Sequence, residues 1–230
     1  MALGLLPVVT VSAALFPRVG LFRTIAWADT VYLALSGLWL FLNGLCGRYT
    51  NGANDNGSGS ALALALARRA AQGELPAARL MFVFTGSEET GNRGMLHFLR
   101  RFTRAFPAAR PFFVNLDNLG RGIPRYLEGE GMLGYTRYDA RLIGLARELS
   151  AARGERVMAQ RNLLLPTDAV VAARAGYPAI TFIATDSKGQ IPDYHWHTDV
   201  PANLDRSLLE FMEEYLIEYL RRLLAAHTDS

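Results

Sequence analysis

Three uninterrupted apolar runs constrain this chain more than anything else in it: LMFVFT at 80–85, FFVNL at 112–116 and AITFIA at 179–184. A strand that is apolar at every residue is buried on both faces, as strands are in the centre of a parallel sheet. The segments between these runs read as helices: Ser60–Gln72 closed by Gly73, Asn92–Phe106 stopped by Pro107, Tyr138–Arg153, a short helix capped by Asp168 and ending at Gly176, and the long amphipathic Asn203–His227. Arg156–Gln160 reads as an edge strand. Helix alternating with strand predicts an α/β fold, with a mainly parallel central sheet flanked by helices on both faces.

A second apolar region precedes that pattern. Met1 to Phe16 carries no charge, and Ile25 to Gly47 carries only Asp29. A bilayer crossing needs roughly 20 apolar residues, a length the second stretch meets, with Trp27 and Tyr32 near one end as interface anchors. The expectation is a hydrophobic helical hairpin turning at Pro17–Gly20, and hence membrane attachment. Two buried core helices are the alternative, because Asp29 and Asn43 are ordinary in a soluble helix. The domain division that follows is 1–48 for the apolar segment and 49–230 for the α/β unit. Half of all residues are hydrophobic, which excludes intrinsic disorder. The single cysteine, Cys46, excludes a disulfide scaffold. A net charge of +3 makes no electrostatic case for a nucleic-acid partner.

In α/β sheets ligands bind beyond the carboxyl ends of the strands. Glu88-Glu89 follow the first apolar run, Asp117 follows the second, and Tyr194-His195-Trp196-His197 lie in the loop after the third. Asp55 sits in a glycine-rich loop before the first helix of the unit. Carboxylates gathered at one edge repel one another unless a cation holds them. Carboxylate oxygens with imidazole nitrogen are a normal ligand set for zinc. Consecutive strand residues face opposite ways, so Glu88 and Glu89 can serve one site only from a loop, one as ligand and the other as base.

GANDNGSG (52–59), FVFTGSEETGNRG (82–94), VNLDNLG (114–120), TDAVVAARAGYPAITF (167–182) and YHWHTDVPANLD (194–205) resemble, in order and spacing, the co-catalytic zinc aminopeptidases of metallopeptidase family 28. The resemblance covers about residues 50–225. It implies the zinc exopeptidase fold and hydrolysis of the N-terminal residue of a peptide. It makes Asp55 the carboxylate that bridges two zinc ions, Glu88 the general base, Glu89 a ligand of one zinc and Asp117 a ligand of the other. The last ligand is a histidine preceded by an aromatic or apolar residue and followed by threonine; His197 fits, with His195 as the alternative. Asp168 falls near the site, as a support or a substrate contact, and Asp199 could orient a ligand histidine. The peptide after the bridging aspartate, Asp55-Asn56, is expected to be cis.

One departure matters. The family takes a further ligand from a His-x-Asp motif upstream of GANDN, and this chain has no histidine before His97. One complete zinc site is therefore expected here, of Asp55, Glu89 and His197. Two accounts of the departure stand: an N-terminally incomplete chain with a membrane segment after His-x-Asp, or a one-zinc enzyme like the glutaminyl cyclases on the same fold. A non-enzymatic ectodomain is the third reading. The GxGxxG at 129–134 has neither a clear strand before it nor a helix opening on it, and is read as chance.

Overall fold

A computed structural model describes residues 20–106, 111–131, 134–162 and 166–228. The chain separates into two compact units, Met1–Tyr49 and Thr50–Ser230. In the first unit, α1 (Gly20–Cys46) is one continuous helix. Thr24–Cys46 within it is long and apolar enough to cross a bilayer. Its large side chains are exposed all round, Trp39 by 66% and Leu40 by 70%. The other arm of the expected hairpin, Met1–Phe16, lies outside the described residues.

The second unit runs α2 (Gly59–Ala71), α3 (Arg93–Ala105), β1 (Phe113–Leu116), β2 (Ile123–Glu130), β3 (Thr136–Arg137), α4 (Ala140–Ala152), β4 (Met158–Asn162), α5 (Asp168–Arg174), β5 (Ala179–Thr185) and α6 (Arg206–Thr228). β1 pairs parallel with β5, Val114 opposite Ile180. β2 is the hub, antiparallel to β5 and β3 and parallel to β4. The α/β class is as expected, with a mixed sheet at its centre.

β5, the AITFIA run, is buried at every position. Its alternation explains the layers. Ile180, Phe182 and Ala184 pack with Leu62 and Leu66 of α2, Leu142 and Leu149 of α4, and Met212 and Leu216 of α6. Ala179 and Ile183 turn the other way, toward Met95 and Leu99 of α3 and Ala169 and Ala172 of α5. Helices thus cover both faces. Phe182 meets the rings of Tyr215 and Tyr219 edge-on at centroid distances of 5.9 and 5.0 Å. Burying one such side chain contributes about 1.5–3 kcal/mol.

Three expectations are corrected. The run at 80–85 joins no ladder among the described residues; Leu80 and Phe82 pack on the core, while Met81, Val83 and Phe84 stand 52%, 39% and 53% exposed. β2 went unread because IPRYLEGE carries a proline, three charges and a glycine, and only its three partners make it a strand. The cap of α5 is Thr167, with Asp168 already in the first turn. The GxGxxG falls at the end of β2 and the connection to β3.

Candidate metal centre

The site is assembled by asparagines. The loop at Ala53–Ser58 is a helical turn broken at Asp55 and Asn56, whose shared peptide is cis as expected. Asn54 Oδ1 accepts from Gly120 N at 2.8 Å, and Asn56 Oδ1 accepts from Asn118 N at 3.2 Å. Asn56 Nδ2 donates to Leu116 O at 2.9 Å. These bonds stitch the GANDN loop to the NLDNLG segment at the end of β1. The approach requires glycine at 59, where a Cβ would stand 2.3 Å from Leu116 O. Asn118 Nδ2 then donates to both Asp55 Oδ1, at 3.3 Å, and Asp117 Oδ1, at 2.9 Å, so one amide spans two carboxylates.

Asp199 fixes the same loop from the other side. Its oxygens accept from the backbone N–H of Asn54 at 2.6 Å and of Asp55 at 3.1 Å. With Asp199 pinned, the turn before it sets which histidine faces the carboxylates. Trp196 N bonds Asp193 O, Thr198 Oγ1 bonds Asp193 Oδ1, and His195 takes a left-handed conformation at φ 54°. His195 Nε2 thereby comes 2.8 Å from Glu89 Oε1 and 3.3 Å from Asp55 Oδ2.

The structure therefore brings Asp55 and Glu89 together, but with His195 in place of the expected His197. One ligand atom from each of Asp55, Glu89 and His195 lies within 4.8 Å of the others, and His197 is outside the group. The motif reading weighed the residues next to each histidine. The turn counted back from Asp199 decides it, and that count was the missed signal. The sequence reading also passed over Tyr194, whose ring stacks on His195 at 3.7 Å between centroids.

Glu88 lies beside this group in the turn that leads into α3. Gly91 N and Asn92 N both bond Glu88 O, and Asn92 Nδ2 donates to Glu88 Oε1 at 3.0 Å. The same Nδ2 donates to Asp168 Oδ1 at 3.2 Å, and Asp168 also accepts from the Thr85 hydroxyl. Burial, then Asp168, Glu89 and Asp55, push the Glu88 carboxyl up to about 7. Burial with Asp55 and Glu88 pushes Asp117 up to about 8, and Asp55 is raised for the same first reason. Burial and mutual repulsion thus raise all three carboxyls together. Asp55 Oδ2 is buried and makes no hydrogen bond, its nearest polar neighbour being the His195 imidazole at 3.3 Å, within an oxygen–oxygen–nitrogen donor set that fits zinc.

Solved zinc aminopeptidases share this helix-flanked sheet. The zinc aminopeptidase BSAP of Bacillus subtilis superposes with a TM-score of 0.61 at 21% identity, over 76% of this chain and 43% of that one. The aminopeptidase of Aneurinibacillus sp. strain AM-1 gives 0.60 at 23%, over 74% and 39%. The glutaminyl cyclase of Porphyromonas gingivalis gives 0.59 at 25%, over 76% and 67%. This chain spans less than half the length of either aminopeptidase. The family model of peptidase family M28 matches residues 26–220, and the chain belongs to that family. No curated protein sequence matches it.

Proposed function

We propose that this chain is a zinc-dependent peptidase that hydrolyses the N-terminal peptide bond of its substrate. The reading is carried by the convergence of Asp55, Glu89 and His195, with a base of pKa about 7 next to them. In this proposal those three residues hold the metal. Zinc, when bound, supplies a Lewis acid that polarises the scissile carbonyl and lowers the pKa of water toward ~7. Glu88 takes the proton of the attacking water on its carboxylate and delivers it to the leaving amine. Its raised pKa suits both transfers, because a carboxyl near neutrality gives a proton back as readily as it takes one. Asn92 holds Glu88 Oε1 in place throughout. Asn118 and Asp199 fix Asp55, so the donors are set before metal arrives.

Asp117 is the remaining family position. Sharing the Asn118 amide with Asp55, it is placed to serve a second metal, although Asp55 and Asp117 alone give two protein ligands where a catalytic zinc ordinarily has three. The domain boundary near residue 49 and membrane attachment through α1 belong to the same proposal, supported by the length and exposed apolar surface of that helix.

The likeness to a glutaminyl cyclase and the one three-donor group among the described residues favour one alternative, a cyclising acyl transferase. Zinc-loaded full chain offered an aminoacyl anilide and an N-terminal glutaminyl peptide separates the two. Release of the anilide supports the peptidase; pyroglutamyl product alone replaces it with the cyclase.

A further inference from the structure

Glu130 ends β2 with a carboxyl that is 0% exposed and is not a member of the Asp55–Glu89–His195 group. Three donors converge on a single oxygen of it. Glu130 Oε1 accepts from Tyr138 OH at 2.5 Å, from Thr167 N at 2.8 Å and from Thr167 Oγ1 at 2.7 Å. Thr181 Oγ1 completes the cluster, 3.1 Å from Tyr138 OH and 2.9 Å from Thr167 Oγ1. A buried carboxyl is costly, and packing alone would be met better by an apolar side chain.

What the cluster holds is the start of α5. A threonine at a helix N-cap ordinarily turns its hydroxyl back onto the amides of the first turn. Thr167 makes no such bond, because its hydroxyl is committed to Glu130. The helix start is therefore registered against β2. The next residue is Asp168, which shares the Asn92 amide with Glu88. A route of direct contacts thus runs from Glu130 through Thr167 and Asp168 to Asn92 and Glu88. None of Asp55, Glu89 or His195 is a member of the route, which ends on Glu88 next to Glu89.

We propose that Glu130 is a positioning residue for the hydrolysis, holding Thr167 and Asp168 so that Asn92 fixes Glu88 beside the metal group. The inference rests on the peptidase reading and predicts a defect in turnover alone. In the zinc-loaded full chain, Glu130→Ala should lower kcat by about 10-fold or more, with KM within about 2-fold and zinc content unchanged. Glu130→Gln keeps the accepting oxygen and should stay within about 3-fold of wild type. Thr167→Val preserves shape and the backbone bond and should fall between them; if Glu130→Ala does not fold, this variant decides. Hydrogen exchange of residues 86–93, read by mass spectrometry, gives a measure independent of activity and should accelerate in Glu130→Ala.

Unchanged kcat in Glu130→Ala, equal losses in Glu130→Gln and Glu130→Ala, or a loss matched by loss of zinc would each overturn the proposal. A wild-type protein inert to every substrate would sink the peptidase reading instead. Exchange at 86–93 would then still judge the route, and no change there in Glu130→Ala would end it.

Discussion

Glu88 and Glu89 are adjacent in sequence and separate in task under the proposed mechanism, and single substitutions distinguish them. Glu88→Gln should leave zinc bound, as measured by elemental analysis, and reduce turnover at least ~10²-fold. Expulsion of the metal by that change would reverse the two roles. His195→Ala should lose zinc, whereas His197→Ala should keep it, because only the His195 imidazole reaches Asp55 and Glu89; the opposite pattern would restore the motif reading. The raised carboxyls also predict how the metal-free protein responds to pH. With Asp117 pushed to about 8 and Glu88 to about 7, the folded state keeps protons that the unfolded chain releases above pH ~4. The native state binds more protons across that window, so stability falls as pH rises through it. Carboxylates held below their ordinary range, such as Asp139 and Asp205, act in a lower window. The Tm of metal-free protein should therefore drop by about 5 °C or more between pH 5 and pH 8.5, and zinc should narrow the drop. A flat or rising Tm without metal would contradict the account.

At the scale of elements, the site depends on how closely the Asp55 loop and the end of β1 approach. Gly59→Val places side-chain atoms against Leu116 O and should destabilise by about 1–3 kcal/mol in denaturant titrations. A neutral result would show that the loop can withdraw from β1. α6 is tied to α4 by Tyr215 OH on Ala146 O at 2.8 Å and Tyr219 OH on Leu142 O at 3.0 Å. Tyr219→Phe, which removes that bond without changing shape, should cost about 1 kcal/mol. These elements differ in how far the sequence announces them. β5 is legible because both of its faces are buried, so all its residues but two threonines are apolar. β2 is not, because Glu130 is there for its contacts with Tyr138 and Thr167 and not for local pattern. The 80–85 run has a strand's composition, but a strand exists only where a ladder partner does.

For the whole molecule, α1 makes the prediction. Its exposed apolar circumference should carry the full chain into the membrane fraction, resistant to alkaline carbonate wash. Leu35→Arg with Leu38→Arg, each charge costing roughly 2.5–3.5 kcal/mol near the helix centre, should release it. A full chain that washes off freely would refute membrane attachment. Sequence by itself determined the α/β class, the strands at 113–116 and 179–185, and the carboxylates that follow the apolar runs. Those features are local: burial on two faces writes itself as an apolar run, and a loop after a strand is where a ligand can be reached. The tertiary structure alone decided that His195 joins Asp55 and Glu89, that β2 runs antiparallel to β5, and that Glu130 lies on a route to Glu88. Each is a contact between segments far apart in the chain. Two histidines two residues apart carry the same chemistry in sequence, and the bond from Asp199 to the Asn54 and Asp55 amides is what turns one of them inward.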